Sequence, residues 1–392
     1  MREWYEVINV HTNNVTPPWL TDELLIFRDA VDRFIERECL PHVDEWNRAG
    51  AVPRPIWRKA GDAGLLMASA PAEYGGGGAS FAYDAVIIDR LNRLGAHGFL
   101  ITLQNAIFGP YLLEFGSQEQ KRLWIPRLAS GEWIGAISMT EPGAGSDLKA
   151  IRTTAVRDGD SYVINGQKIF TTLGHQADIL MVACRTGGEG SAGISLFFVE
   201  TENCSGFARG RKLDKIGQHA HATAELFFDN VRVPAENLIG AVEGQGFTQM
   251  MFNLAQERLV VAIEAIAMME RALDETVAYV KGRKAFGKSI MDFQNTQFVL
   301  AECSTEIAVG RVFVDACIGR HLAGTLDPVT AAMAKLWLSE TQGKVIDRCL
   351  QLFGGYGYIN EYPIAGMFRD ARVSRIYGGT SEIMKLIIGR SL

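Results

Sequence analysis

The chain has 392 residues, and its 39 basic and 45 acidic side chains give a formal net charge of −6 at pH 7. This length exceeds what a single hydrophobic core usually spans, so two or three subdomains are expected. The acidic balance gives no reason to expect DNA, RNA or an anionic membrane surface as a partner. The six cysteines are scattered without a Cys-x-x-Cys pair, which predicts free thiols, a reducing compartment and no structural metal site.

The N-terminal segment lacks a targeting or anchoring pattern. Residues 1–20 are predicted to form an irregular arm, because Pro17-Pro18 blocks regular structure. Residues 1–10 have neither the apolar core of a secretory signal nor the arginine-rich pattern of a transit peptide. No uninterrupted apolar stretch of about 18 residues is present that could span a membrane. We therefore expect a soluble, cytoplasmic protein.

A mainly helical domain is predicted over residues 21–132. Asp22 and Glu23 suit the positive N-terminal end of a first helix, whose apolar stripe continues to Pro41. Pro55 fits the first turn of a second helix, which ends at Gly64. Three further helices are predicted over 83–94, 99–115 and 118–128.

The periodicity changes at Trp133, and a β domain is predicted over residues 133–240. Turn signals separate short alternating runs. The predicted strands are 153–156, 161–164, 167–172, 179–184, 194–200 and 225–233. Asp158-Gly159 and Asn165-Gly166 are both hairpin signals, so the sheet is expected to be antiparallel.

Helical periodicity returns in a C-terminal domain, residues 241–392. Helices are predicted over 246–279, 294–322, 329–352 and 381–389. Glycine-rich breaks occur at 353–357 and 377–380. The chain order is therefore helical, β, helical.

The loop 138–147 is the first candidate site, and it reads Ser-Met-Thr-Glu-Pro-Gly-Ala-Gly-Ser-Asp. Gly143 and Gly145 allow a ligand to approach the backbone closely, and amides in such a turn can bind an anion. A Rossmann loop and a P-loop are both excluded, because each would lead directly into a helix. The residues alone leave two interpretations open, a ligand-binding loop or a plain connection.

One carboxylate lies on an apolar helix stripe. Met250, Leu254, Val261 and Ala265 recur at helical spacing, and Glu257 falls on the same face. Burial there is expected to raise the pKa of the Glu257 carboxyl group toward the range of a general base. The pattern leaves open a catalytic base or one half of a buried salt bridge.

Other candidates are weaker. Arg258 is the chain neighbour of Glu257 and cannot face it on the same helix. His219 and His221 have no third ligand nearby in sequence, so surface histidines are favoured over a metal site. The chain has no Gly-x-Ser-x-Gly elbow for acyl transfer. The basic run at 281–284 fits either a phosphate site or a solvated helix end.

Six short motifs follow one another in a fixed order along the chain. They are Thr-Glu-Pro-Gly-Ala-Gly-Ser-Asp (140–147), Asn-Gly-Gln-Lys-Ile-Phe-Thr-Thr (165–172), Phe-Asp-Asn-Val-Arg-Val-Pro (228–234), Arg-Lys-Ala-Phe-Gly (283–287), Gln-Leu-Phe-Gly-Gly-Tyr-Gly (351–357), and Arg-Asp (369–370) leading to Tyr-Gly-Gly-Thr-Ser-Glu-Ile (377–383). With these motifs the chain resembles the acyl-CoA dehydrogenases from about residue 20 to residue 390. The resemblance implies an α+β fold with an N-terminal helical domain, a middle antiparallel β domain and a C-terminal four-helix bundle.

The same resemblance implies FAD as the cofactor, held between the β domain and the C-terminal helices. By position, Met139 and Thr140 would meet the polar edge of the flavin ring, and Thr172 its N5 side. Phe170 would pack on the ring face, and Ser146 would contact the pyrophosphate. Further implied contacts to FAD are Gly145, Gln294, Gly354, Thr380 and Glu382. Four more residues would reach the FAD of a neighbouring subunit in a homotetramer: Arg283, Phe286, Gln351 and Gly355.

The implied reaction is α,β-dehydrogenation of an acyl-CoA to a trans-2-enoyl-CoA, with electrons passed to an electron-transfer flavoprotein. Many members carry the base in a Tyr-Glu-Gly-Thr sequence, but the corresponding position here is Gly378. A subset resembling long-chain and isovaleryl-CoA dehydrogenases places the glutamate on a helix, as Glu257 is placed here. Glu257 is therefore predicted to be the catalytic base. The implied substrate contacts are Ser146, Arg258, Tyr377 and Gly378.

Two alternative functions are compatible with the same fold. One is a flavin oxidase, similar to an acyl-CoA oxidase or a nitroalkane oxidase. The other is a non-catalytic member, such as a partner subunit in a mixed tetramer. The sequence does not define the length of the acyl chain, although the absence of a side chain at Gly378 suggests a longer or branched one.

Overall fold

The computed structural model describes residues 16–392, so most of the predicted arm, residues 1–15, lies outside the described residues. In the remainder of the arm, the Leu20 amide donates to the Pro17 carbonyl at 2.9 Å and closes a turn. The indole of Trp19 donates to the Asp315 carboxylate at 3.2 Å. This part of the arm is thus tied to the helix that carries Asp315.

The region 21–132 forms mainly helices, as predicted. The first, α1 (Asp22–Phe34), continues through a π-helical turn (Ile35–Cys39) and a 3-10 turn (Leu40–His42). The other elements are α2 (Val43–Ala49), α3 (Arg54–Asp62), α4 (Phe81–Leu94), a π-helical segment (Leu103–Phe108), α5 (Gly109–Phe115) and α6 (Gln118–Ala129). The single helix predicted over 99–115 is therefore present over 101–115, but it contains the π-helical segment. Pro110 accounts for this irregularity, because it has no amide hydrogen to donate to the carbonyl of Ala106, four residues earlier.

The middle of the chain forms a seven-stranded sheet. Its strands are β1 (Gly135–Ser138), β2 (Thr154–Asp158), β3 (Ser161–Thr171), β4 (Ile179–Arg185), β5 (Ile194–Glu200), β6 (Phe207–Lys212) and β7 (Ala224–Pro234). The strand order is β1-β4-β2-β3-β7-β6, and β5 pairs with β4. The pairs β2–β3, β3–β7, β4–β5 and β6–β7 are antiparallel, as expected. However, β4 runs parallel to β1 and β2, so the sheet is mixed.

One of the two predicted hairpins was wrong. Asp158-Gly159 does connect β2 to β3, but β3 runs straight through Asn165 and Gly166. Its register against β7 shifts between Ile164 and Gly166, which identifies a bulge. A Cβ on Gly166 would lie 2.4 Å from Thr153 Oγ1, so close packing, rather than a turn, requires this glycine.

The last third of the chain is helical again. Its elements are α7 (Gly246–Gly282), the short strands β8 (Lys284–Ala285) and β9 (Lys288–Ser289), α8 (Gln294–Leu322), α9 (Pro328–Phe353), α10 (Pro363–Ala371) and α11 (Ser381–Gly389). Helix α9 packs against α8, α10 and α11. The four predicted helices correspond to α7, α8, α9 and α11, while α10 was not predicted.

The chain packs as two compact units. One consists of residues 30–87 and 96–257, and the other of 88–95 and 258–392 with the described residues up to Asp29. The sheet and Glu257 belong to the first unit, and Arg258 begins the last segment of the other unit. The predicted domain boundaries at 132/133 and 240/241 remain predictions. Within residues 16–392, no helix combines the length and hydropathy that a membrane crossing needs.

Replacing Asp84 with Asn should change how stability depends on pH. Burial on α4 raises the pKa of Asp84 to about 7, although a hydrogen bond with Asn105 opposes the shift. Between the ordinary value near 3.8 and this raised value, the unfolded chain loses the proton while the folded chain keeps it, so stability falls as pH rises. The Asn variant lacks this loss. Its free energy of unfolding relative to the parent should therefore increase from pH 5 to pH 8, by about 2–3 kcal/mol.

Thermal and urea unfolding at pH 5 and pH 8 would measure the difference. Asp62→Asn is the control, because Asp62 is exposed on α3. Parallel pH dependences for Asp84→Asn and the parent would contradict a proton held by the buried carboxyl group.

Candidate functional site

The glycine loop lies beside the end of β3. The amide of Ile169 donates to the carbonyl of Thr140 at 2.9 Å, and Ser138 Oγ lies 2.8 Å from Thr171 Oγ1. These contacts join the start of the loop to the last residues of the strand. They bring together the four residues predicted to surround the flavin ring: Met139, Thr140, Phe170 and Thr172.

A buried ion pair fixes the start of this loop. Lys168 Nζ lies 2.8 Å from Glu141 Oε1 and donates to the Met139 carbonyl at 3.0 Å. The same carboxylate accepts the amides of Arg152, at 2.6 Å, and Thr153, at 2.9 Å. Burial by itself would raise the pKa of Glu141, but the charge of Lys168 and these hydrogen bonds hold it below its ordinary value. The sequence analysis missed this pair.

The two glycines of the loop are not explained by the protein's own packing. A Cβ on Gly143 would meet nothing within 4 Å, and one on Gly145 would meet only Thr140 Cγ2 at 3.9 Å. Neither residue has a positive φ angle, so the backbone conformation does not require glycine either. A ligand lying directly against the backbone would require it. Ser146, at the end of this surface, is exposed.

Two aromatic residues have strained backbones and exposed rings. Phe170 has φ +58° at the irregular end of β3, and its ring is 63% exposed. Phe286, in the turn between β8 and β9, has φ +51° and is 95% exposed. A bulky residue in the left-handed region is unusual, and such strain is often retained at binding sites. Both phenylalanines are among the residues for which contact with FAD was predicted.

The other predicted cofactor residues lie in the C-terminal unit. The guanidinium of Arg283 lies over the ring of Tyr356, 5.4 Å from its centroid, and Tyr356 belongs to the glycine-rich segment that contains Gly354 and Gly355. Gln294 and Gln351 are exposed on α8 and α9. Thr380 is the N-cap of α11, where its hydroxyl accepts the Ile383 amide at 3.3 Å, and Glu382 lies in the first turn. Thr380 thus has a structural role that the sequence analysis did not assign.

Glu257 is half-buried on α7 and is held by two donors. The Tyr111 hydroxyl donates to Glu257 Oε1 at 2.9 Å, and Asn253 Nδ2 donates to the same oxygen at 3.2 Å. Burial, followed by the charge of Glu257, raises the pKa of Tyr111 well above its ordinary value, so the phenol stays protonated as a donor. Neither donor was predicted from the sequence.

The predicted substrate contacts in the C-terminal unit are partly buried. Arg258 is 4% exposed and donates to the Pro328 carbonyl at 3.4 Å. The Tyr377 hydroxyl donates to Glu264 at 3.2 Å. Gly378 has φ +64°, and a Cβ there would lie 3.5 Å from Val261 Cγ2, so other side chains would be strained there.

The two histidines of the 219–221 segment differ from the expectation in one respect. His221 is buried, and its Nε2 lies 3.1 Å from the His97 carbonyl. The expectation that both His219 and His221 are surface residues was wrong for His221. In the part of the chain that the structure describes, no three His, Cys, Asp or Glu side chains are grouped as metal ligands would be.

The helical–sheet–helical architecture and the glycine loop match known proteins along most of the chain. Three family models match: acyl-CoA dehydrogenase, N-terminal domain (residues 21–132), middle domain (136–231) and C-terminal domain (244–392). The chain belongs to the acyl-CoA dehydrogenase family.

The relatives and solved structures agree with the family models. The chain is 46% identical over 370 residues to the mitochondrial long-chain specific acyl-CoA dehydrogenase of Sus scrofa, covering 94% of this chain and 86% of the relative. The crystal structure of acyl-CoA dehydrogenase from Geobacillus kaustophilus has a TM-score of 0.94 at 48% identity, covering 96% of this chain and 99% of that one. A glutaryl-CoA dehydrogenase from Mycobacterium smegmatis, solved in complex with FADH2, has a TM-score of 0.88 at 28% identity and covers 95% of each chain.

Proposed function

We propose that this protein is an FAD-dependent acyl-CoA dehydrogenase in which Glu257 removes the α-proton of the thioester. The observation that carries this assignment is the carboxylate itself. It lies on α7 and is oriented by Tyr111 and Asn253, whereas the position where many family members have their base is Gly378. An oriented, half-buried carboxylate in its charged form is the group that a proton abstraction requires.

The chemistry divides between the protein and the cofactor. The thioester carbonyl, polarised by hydrogen bonds, makes the α-proton acidic enough for a carboxylate to remove. Glu257 accepts this proton, and the electron pair of the broken C–H bond becomes part of the new double bond. When bound, FAD supplies the acceptor for the hydride that leaves the β-carbon. The product is a trans-2-enoyl-CoA.

The loop 138–147 and the end of β3 fit a flavin. The open backbone at Gly143 and Gly145 and the exposed ring of Phe170 supply a surface on which a planar ring and a pyrophosphate can lie. In this proposal Met139, Thr140 and Thr172 bind the ring, and Ser146 binds the pyrophosphate. The proposed contacts in the C-terminal unit are Gln294, Gly354, Thr380 and Glu382. Four further residues are proposed to reach the FAD of a neighbouring subunit in a homotetramer: Arg283, Phe286, Gln351 and Gly355.

The proposed substrate is a longer or branched acyl-CoA, contacted by Ser146, Arg258, Tyr377 and Gly378. Glycine at 378 leaves space for an acyl chain, and the Sus scrofa relative is named for long-chain substrates. An electron-transfer flavoprotein is the proposed acceptor of the electrons. The cytoplasm is the proposed location.

Anaerobic mixing of the purified holoprotein with a panel of acyl-CoAs, from butyryl to palmitoyl and including isovaleryl, tests the proposal. Bleaching of the flavin absorbance by one or more thioesters, with formation of the enoyl-CoA, is the expected result. Bound FAD that no thioester bleaches would contradict it. Reduced enzyme that reacts faster with oxygen than with an electron-transfer flavoprotein would favour the oxidase instead. Bleaching confined to butyryl-CoA would contradict the proposed chain length.

A further inference from the structure

Helix α7 is hydrogen-bonded to the π-helical segment Leu103–Phe108 through two side chains that precede Glu257. Pro110 cannot donate to the carbonyl of Ala106, and Gln256 Nε2 donates to this carbonyl at 2.6 Å. The carbonyl of the next residue, Ile107, accepts Asn253 Nδ2 at 3.3 Å. The side chains one and four residues before Glu257 therefore bind two consecutive carbonyls of the segment. This arrangement restricts sliding or rotation of α7 at the carboxylate.

The π-helical segment also determines where Tyr111 lies. It inserts a wider turn immediately before α5, and the Gly109 amide bonds to the Gln104 carbonyl five residues back. Such a turn rotates the residues that follow it around the helix axis, and π-turns are common at functional sites. The Tyr111 ring is buried at 1% exposure in a core that includes Met67, Leu112 and Trp124. Packing thus fixes the ring, and its hydroxyl extends to Glu257 Oε1.

We propose that Tyr111 is a positioning residue for Glu257: with Asn253 it holds Oε1 and so orients the carboxylate that removes the proton of the substrate. The proposal rests on the proposed function, because it takes Glu257 to be the base. The two hydrogen bonds to Oε1 restrict rotation of the carboxylate about its own bonds, which is the kind of alignment that proton transfer needs.

Tyr111→Phe is the direct test, because it removes one oxygen atom and keeps the ring. With saturating thioester, the rate constant of flavin reduction should fall about 10- to 100-fold, as expected for a misaligned reacting group. The dissociation constant of the thioester, obtained from the concentration dependence, should stay unchanged. Deuterium at the α-carbon should slow the variant more than the parent, because proton removal becomes more rate-limiting. A role confined to folding would not change this isotope effect.

A second readout needs neither FAD nor turnover. The infrared carboxylate band of Glu257, identified by subtracting the Glu257→Gln spectrum, can be titrated in the apoprotein. Loss of the Tyr111 hydrogen bond should move protonation of this group to higher pH, because the charged form loses a donor. An unchanged titration would overturn the proposal.

Tyr162→Phe is the matched control. Tyr162 is buried to the same extent as Tyr111, and its hydroxyl donates to another carboxylate, Glu243. This variant should reduce flavin at the parental rate. Asn253→Ala removes the second donor to Oε1 and should also lower the rate constant of flavin reduction. This variant tests the proposal if Tyr111→Phe folds poorly.

The outcomes separate the two claims. If Glu257→Gln still supports reduction, Glu257 is not the base and the proposed assignment itself fails. If Glu257→Gln abolishes reduction while Tyr111→Phe behaves like Tyr162→Phe, only the positioning role is overturned.

Discussion

Glu257→Gln should abolish flavin reduction by acyl-CoA, lowering its rate constant by at least about 1,000-fold. The amide has the shape of the carboxylate, but it cannot accept the α-proton. It can still accept the hydrogen bond that the Tyr111 hydroxyl donates to Oε1, so the local packing of α7 against α5 should persist. FAD content and thermal unfolding should therefore match those of the parent. Anaerobic stopped-flow absorbance with the best thioester of the panel measures the rate.

Glu243→Gln is the matched control for this substitution. Glu243 precedes α7 and also accepts a hydrogen bond from a tyrosine, Tyr162, but it is not part of the proposed site. It should retain the parental rate of reduction. Reduction at a parental rate by Glu257→Gln would leave Glu257 with a structural role only and require a different base.

Periodicity predicted the long elements well, because each of them buries one face. The helix predicted over 294–322 corresponds to α8, and that over 381–389 to α11. Local signals were less reliable. Asn-Gly normally favours a two-residue turn, but at 165–166 the pairing of β3 with β7 continues on both sides. Tertiary pairing therefore overrode the turn propensity, and a bulge took the place of the hairpin.

Site residues could be predicted from periodicity only where a charged side chain falls on the apolar face of a helix or strand. Glu257 was detected because it interrupts an apolar stripe. Lys168 could have been detected in the same way, since it shares the buried parity of β3 with Tyr162 and Ile164. Tyr111 gave no comparable signal, because a tyrosine on a buried helix face is ordinary. Its role depends on a π-turn and on a carboxylate 146 positions away in the chain.

Lys168→Met should destabilise the protein and weaken FAD binding. The Lys168 side chain is completely buried and Glu141 is nearly so, so removal of the lysine would leave a buried carboxylate without its counter-charge. Breaking such a pair typically costs about 3–5 kcal/mol. The hydrogen bond to the Met139 carbonyl would also be lost, and with it one of the bonds that hold the start of the glycine loop. Urea unfolding and titration of the apoprotein with FAD measure the two effects.

The double variant Glu141→Gln/Lys168→Met distinguishes charge from packing. Because it removes both charges, it should recover much of the stability lost by Lys168→Met. The pH dependence provides a second check. Since Glu141 has a lowered pKa in the folded protein, its contribution is present above its ordinary value near 4.5 and is lost as pH falls through the lowered one. The parent should therefore lose stability in acid over this range, and the double variant should lose less. A double variant as unstable as Lys168→Met would mean that side-chain packing, rather than the ion pair, fixes the loop.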